Sequence, residues 1–423
     1  VEVPEGQVCE LRHGDFAMII LFLSVLAMAS TENFFQDLDS FRAKSLTLKT
    51  ELSRVEAASA RALNRALHWT PEVSVSAGRS RSTSRSFNDK EVATSDYWRA
   101  SANFSLFRGG SDLFAASAAN LQEESQKFQY EAEVLGLENR VGKLLLQSLS
   151  LQESLGVQKS LLKLKEDSLR IGKERYSQGK IPLQEITKLE LDLAQQRNRL
   201  RQAELEVEGN LVAMKSLFVE ATKTKDWPFA DSTQLNFGGE LSPGLKSIQL
   251  RAHSAKKSYW ATKLNHSPTV DFSISYKETP IRKRESREWV GSIDLNIPLW
   301  SKYAISASVA EAGSAMEEAE NAAFLKEKEE ELQKDLLQKK IEAFRKNLVE
   351  NKNNLEKSER LYADMVRNFQ LGRISVNDLF IEQNRRIESL LSLTESKMAF
   401  HEGILDACSV WGKRMRDCLT AAR

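Results

Sequence analysis

The chain has 423 residues, 41% of them apolar, and its 60 Lys and Arg against 59 Asp and Glu leave a net charge of +1. Such a balance gives no general affinity for nucleic acid, and 28% charge with only 8 prolines and 19 glycines describes a helix-rich chain. The five histidines (His13, His68, His253, His266, His401) lack metal-ligand spacing, and no nucleophile–base set or phosphate loop can be assembled, so no enzymatic activity, metal or cofactor is expected.

Arg12 and His13 precede an apolar run from Phe16 to Ala29 that ends Ala27-Met28-Ala29. The run is too short for a comfortable bilayer span and has the form of a secretory signal peptide, assigned to residues 1–29. Cys9 would leave with it. Cys408 and Cys418 remain, and in one straight helix they would stand about 15 Å apart, beyond disulfide reach. A bend after Trp411-Gly412 would bring them together in an oxidising compartment. Their pairing stays open, two free thiols being the simpler reading.

Residues 30–70 form an N-terminal helical segment, with one helix from about Phe34 to Leu67 ended by His68-Trp69-Thr70-Pro71. The period then changes to two. In the first β-hairpin (71–108) Val73, Val75 and Ala77 face one way, and Trp98, Ala100, Ala102, Phe104 and Leu106 alternate with polar neighbours. The second β-hairpin (268–300) has Val270, Phe272, Ile274 and Tyr276, then Trp289, Gly291, Ile293, Leu295 and Ile297. Loops from Arg79 to Asp89 and from Pro280 to Glu288 are expected to join the strands. Four strands are too few to close a barrel. The pattern fits a piece of outer-membrane barrel, with Trp98, Trp289, Trp300 and Tyr303 at the membrane interfaces, as well as a small sandwich with its apolar faces packed together.

The helices decide between these. From Gly109-Gly110 to Tyr176 no proline intervenes, and Tyr130, Val134, Leu137, Val141, Leu144, Ser148, Leu151 and Leu155 fall at spacings of four and three. Ile186, Leu189, Leu193, Gln196, Leu200, Ala203, Val207, Asn210 and Met214 continue the rhythm, as do Leu337, Ile341, Phe344, Leu348, Asn351 and Leu355 in the second half. This is coiled-coil packing. A helix of this length would run about 100 Å. A globular domain has no use for it, whereas a tube crossing a compartment does. Two long helical hairpins follow, 109–221 with its tip at 176–185 and 301–407 with its tip at 369–378. An equatorial segment (222–267) lies between them, with irregular stretches at Trp227-Pro228 and Ser242-Pro243-Gly244, and a C-terminal segment (408–423) closes the chain.

The tips are near copies. Tyr176-Ser-Gln-Gly179-Lys180-Ile181-Pro182-Leu-Gln-Glu185 answers Phe369-Gln-Leu-Gly372-Arg373-Ile374-Ser375-Val-Asn-Asp378. Each glycine can take the left-handed conformation that ends a helix. Pro182 suits a first helical turn, and Ser375 with Asp378 three later reads as a capping box. Pro71 and Pro268 open matching strand runs. The chain is therefore one unit of strand, strand, long helix, tip and long helix, written twice.

These residues resemble the TolC family of outer-membrane efflux and secretion channels over essentially the whole chain after the signal peptide. The likeness rests on the two tips, on Pro71 and Pro268, and on Leu106-Phe107-Arg-Gly-Gly110 with Ile297-Pro-Leu-Trp300. It implies a mainly α fold with a small β part, internally duplicated, in a homotrimer with a twelve-stranded outer-membrane β-barrel and a periplasmic α-helical barrel. Implied with it are an adaptor protein, an inner-membrane pump or ABC transporter and outer-membrane lipid as partners. The pore gate would comprise Asp378, Glu185, Phe369 and Ile374. Tyr176, Gly179, Lys180, Ile181, Pro182, Gly372, Arg373 and Ser375 would meet the adaptor. Ile381 stands where the family's best-known gate has a second acid, Phe369 replaces the gate tyrosine, and Ile374 replaces an arginine. Closure is thus expected from packing more than from polar bonds. A periplasmic adaptor or a structural envelope protein is the alternative.

Overall fold

The computed structural model describes residues 32–420 except 87–88, 218–225, 230–240, 282–283, 299–303 and 372. The signal-peptide segment (1–29), Trp300, Tyr303 and Gly372 lie outside the described residues. In chain order the elements are helix α1 (32–44), α2 (Leu46–Ala66), strands β1 (Glu72–Ser86) and β2 (Asp89–Arg108), helices α3 (Ser111–Ser177), α4 (Leu183–Ser216) and α5 (Pro243–Leu264), strands β3 (Thr269–Ile281) and β4 (Arg284–Asn296), and helices α6 (Ala304–Gln370), α7 (Val376–Val410) and α8 (Met415–Thr420). The fold is mainly helical, with a duplicated order. Among the described residues no helix is long and apolar enough to cross a membrane.

Three local expectations change. The single N-terminal helix is two, because the Ser45 hydroxyl accepts from the Leu48 amide (3.4 Å) and starts α2 afresh. Ser242-Pro243-Gly244 is no irregular stretch but the start of a 22-residue helix, with proline in the first turn where its missing donor costs nothing. Most of the two expected loops is strand. The β1–β2 register continues to Ser86↔Asp89 and β3–β4 to Ile281↔Arg284, so the serine- and arginine-rich segments extend the hairpins.

The chain forms two compact units, Val1–Lys49 with Ala132–Ser242 and Glu330–Arg423, and Thr50–Glu131 with Pro243–Glu329. The second holds a four-stranded antiparallel sheet in the order β1-β2-β3-β4. Registers align the apolar positions of all four strands. Val75 lies opposite Ala100, Ala100 opposite Tyr276 and Tyr276 opposite Trp289; Phe104 lies opposite Phe272 and Phe272 opposite Ile293. A register shift between Ser105 and Phe107 returns Phe107 to this face, opposite Val270. The apolar face is uncovered, Val75 and Ile293 being 73% and 71% exposed. Near its far end Trp98, Tyr276 and Trp289 form a row, with ring centroids 5.0 and 4.8 Å apart. The other face carries hydroxyl pairs, Ser74 with Ser101 (2.9 Å) and Ser273 with Ser292 (2.8 Å). Beneath the sheet, α3 and α5 join through buried serines: Ser125 donates to the Ser247 carbonyl and Ser254 to that of Ala118, both at 2.8 Å. Gly109, at φ +59, lets β2 turn into α3 beside Ser267, where an added Cβ would come within 2.4 Å of the Ser267 Cβ.

The first unit has the larger core. Phe34, Val141, Leu145, Leu146, Phe400, Ile404 and Leu405 are buried in it. Trp227 stacks on the buried His401 (5.0 Å) and Phe229 meets Phe34 (5.7 Å), so residues 227–229 are pinned into this core. Glu153 of α3 anchors it, accepting from Trp227 Nε1 (2.6 Å) and Thr394 Oγ1 (3.0 Å) with Lys397 Nζ at 3.5 Å. The free-thiol reading is overturned. Cys408 and Cys418 form a disulfide with Cα atoms 5.8 Å apart, because Gly412 at φ +68 ends α7 and folds α8 back.

Beside α8, Glu138 of α3 lies near Arg42 and Arg414. Burial pushes its carboxyl above the usual range, with those arginines and the Met415 amide pulling the other way. A carboxyl raised by folding contributes stability that is complete below its unfolded pKa and is lost as pH rises through the folded value. Glu138→Gln is therefore expected to melt higher relative to the parent at pH 7 than at about pH 3, where glutamate is protonated folded or unfolded. Thermal unfolding at the two pH values checks this; an equal difference at both would refute it.

Candidate functional site

Each tip is built by the same backbone closure. At the first, Gly179 at φ +69 lets its amide reach the Tyr176 carbonyl (2.8 Å) and the Lys180 amide reach that of Arg175 (2.9 Å). At the second, the Arg373 amide bonds the Asn368 carbonyl (3.0 Å), the same five-residue span. The next helices start differently. Pro182 occupies the cap itself rather than the first turn and offers no side-chain bond. Ser375 caps α7 in full: the Asp378 amide donates to Ser375 Oγ (3.2 Å), and the Ser375 amide donates to Asp378 Oδ2 (3.2 Å). The Ser375 hydroxyl donates to the same carboxylate (2.6 Å), and together these donors hold the Asp378 carboxyl below its usual range. Asp378 nevertheless stays exposed.

The tips meet within one chain. The Arg175 guanidinium stands 5.2 Å from the centre of the half-buried Phe369 ring. A groove of about 250 Å³ runs between the first tip and α7, lined in part by Arg175, Ile181, Glu185, Leu189, Phe380 and Ile381. Gly172 makes the close approach of α3 and α4 possible there, since an added Cβ would fall 2.6 Å from Leu189 Cδ1. Of the expected gate residues, Glu185 lines the groove with Ile381 and with Ile181, an expected adaptor contact; Phe369 packs under Arg175, Ile374 is half-buried, and Asp378 sits in its own cap. Tyr176, Gly179, Lys180, Pro182, Arg373 and Ser375 are exposed around them. Arg175 and Phe380 were missed. Their partners lie far away in sequence, and only the closing of one hairpin on the other brings them together.

Above the tips each hairpin carries a polar layer in its seam. Gln196 Nε2 donates to the side-chain (2.7 Å) and main-chain (3.1 Å) oxygens of Gln158. In the second hairpin Asn351 donates to Ser396 Oγ and to the Ser392 carbonyl (3.4 Å). Gln158 and Asn351 each lie 21 residues before their tip glycine.

Residues 38–218 match the outer membrane efflux protein family. A search of curated protein sequences finds no match. Among solved structures the chain is similar to the CmeC outer membrane channel of Campylobacter jejuni, with a TM-score of 0.83 and 13% identity over 92% of this chain and 89% of that one. It is similar to the outer membrane protein VceC of Vibrio cholerae (0.78, 12%, covering 90% and 96%) and to the open state of the MtrE outer membrane channel of Neisseria gonorrhoeae (0.74, 14%, covering 91% and 89%). The fold is that of TolC-like channels, as the duplicated tips imply.

Proposed function

We propose that this chain, TolC-like in fold and matched in its first half to the outer membrane efflux proteins, is one third of a passive trimeric duct through the outer membrane. The observation that carries this reading is the sheet. Its apolar face runs in register across four strands and is left uncovered, while β1 and β4 are each paired on one side only among the described residues. Edge-to-edge closure of three copies satisfies both edges in twelve strands. On β2 the span from Trp98 to Phe107 is ten residues, the length of a tilted membrane strand, with the aromatic row near one interface. Exposed leucines on the long helices, such as Leu191, Leu205 and Leu332, suit contact between copies.

Cargo is driven by an inner-membrane pump or ABC transporter through a periplasmic adaptor that docks at the tips, in a tripartite efflux or type I secretion assembly. Asp378, Glu185, Phe369 and Ile374 narrow the periplasmic end. Two tips, each preceded by its own strand pair, disfavour the reading as an adaptor with a single hairpin.

Detergent extraction and planar-bilayer recording test the duct. A trimer that leaves membranes only with detergent and conducts ions is expected; a monomer released by urea wash, with no conductance, would overturn it. For the gate, Asp378→Ala should raise single-channel conductance and weaken block by divalent cations. Asp378→Asn retains an acceptor for the cap and removes only the charge. Matching conductance in the two variants assigns the effect to charge, and parental conductance in both removes Asp378 from the gate.

A further inference from the structure

Charge on the hydroxyl face of the sheet is sorted by height. Near the end where the strands join helices, the register sets Asp271 directly opposite Asp294, with Ser105 opposite Asp271 on its other side. The next level holds Glu72, Asn103, Ser273 and Ser292, and the one after it Ser74, Ser101, Ser275 and Val290. A further step towards the hairpin turns brings Ser76, Arg99, Lys277 and Glu288 into line. The lower levels thus carry Glu72, Asp271 and Asp294 against one base, Arg108 opposite Thr269. An uncharged level follows, and then Arg99 and Lys277 against one acid. Asp271 and Lys277 lie about 20 Å apart along β3.

This arrangement sets like charges against each other twice. Asp271 faces Asp294, and Arg99 faces Lys277. Like charges directly opposite on neighbouring strands are destabilising. Exchanging Asp271 and Lys277 would put a base opposite Asp294 and an acid opposite Arg99. The opposite face of the same sheet does pair its charges, Arg79 with Asp96 (2.6 Å) and Arg287 with Glu278 (3.5 Å). On the hydroxyl face Lys277 Nζ instead stands 5.2 Å from the centre of the Tyr97 ring, and Asp294 accepts from the Ser292 hydroxyl (2.8 Å). A face that was merely solvated would gain by mixing its signs.

We propose that Glu72, Asp271 and Asp294 form a carboxylate collar inside the barrel, with Arg99 and Lys277 as a cationic belt nearer its outer mouth, so that the inner end of the barrel favours positively charged cargo. The proposal rests on the trimeric duct, with the apolar face turned to lipid and the hydroxyl face to the pore. Closure of three copies gathers the carboxylates around one lumen, where low-dielectric walls focus their field. Rings of charged side chains decide which sign of solute a pore concentrates. The collar therefore suits organic amines over carboxylates and phosphates, and the belt reverses that preference at the outer mouth. These residues are specificity-determining and take no part in the periplasmic gate.

The test reads the local potential through introduced thiols in the full-length protein, reconstituted in vesicles. Cys408 and Cys418 are held in their buried disulfide, so an added cysteine is the one free thiol among the described residues. Ser273→Cys reports on the collar and Ser76→Cys on the belt. Each is treated with a cationic and an anionic methanethiosulfonate of similar size, and the ratio of rates is divided by that for a free thiol in solution. The cationic reagent should be favoured about tenfold at Ser273→Cys, the order that a potential of a few kT produces, and disfavoured at Ser76→Cys. Both preferences should shrink with salt. Adding Asp271→Asn/Asp294→Asn should bring the ratio at Ser273→Cys close to one, with thermal stability undiminished because a like-charge opposition is gone. Glu72→Gln, which leaves the aspartates in place, should lower the ratio in part and keeps the assignment testable if the double variant fails to assemble. A ratio near one at Ser273→Cys, or one that neither neutralisation moves, would overturn the proposal. Failure of the duct itself shows separately, as a parent that neither trimerises nor conducts.

Discussion

Arginine in place of Ile293 should largely abolish membrane insertion, whereas arginine in place of the adjacent Ser292 should be tolerated. Ile293 lies opposite Phe272 on the uncovered apolar face, between Leu295 and Trp289, and Ser292 points to the hydroxyl face, within 2.8 Å of Ser273. A cation at the bilayer midplane costs about 2–4 kcal/mol per strand position, and three copies would place three of them there. Recovery of the proposed trimer from outer membranes measures the effect. If Ile293→Arg and Ser292→Arg behave alike, the two faces have been assigned wrongly.

Removing the disulfide should be the most damaging change away from the sheet. Cys408→Ser with Cys418→Ser is expected to lower stability by about 2–4 kcal/mol, seen as a lower urea midpoint that reductant reproduces in the parent and leaves unaltered in the variant. The bond does more than shorten an unfolded loop. It holds α8 where Arg416 pairs with Glu32 (3.2 Å) and covers the Phe35 ring (5.4 Å), so the start and end of the described chain are fastened together. An unchanged midpoint would mean that packing alone holds α8, with Met415 buried against Gly142.

Periodicity made the helices and strands legible. All six buried residues of α4 (Ile186, Leu193, Gln196, Ala203, Asn210 and Met214) fall on the four-and-three stripe read from sequence, because one seam of contact imposes one phase. For α3 a single stripe was too little. Leu145, Leu149 and Leu161 are buried as well, since that helix also packs against neighbours from the other repeat. The segments at 79–89 and 280–288 looked like loops by composition, although Arg-Ser alternation has the period of a strand; pairing across the hairpin overrode weak propensity. The disulfide was hidden because connectivity depends on one backbone angle at Gly412. Of the tip, the caps could be read locally. The Arg175–Phe369 contact could not, as its partners sit in different repeats.

The matched polar layers bear on how the hairpins can move. Gln158 with Gln196, and Asn351 with Ser392 and Ser396, interlock at the same height in a largely apolar seam. Sliding one strand of either coil by a turn, about 5.4 Å, would leave an amide facing leucines with nothing to accept its protons, a penalty that mere leucine-for-leucine exchange would not impose. Each pair works as a notch that forbids shear. Motion at the tips must then come from swinging or uncurling whole coils as levers, pivoting above that notch.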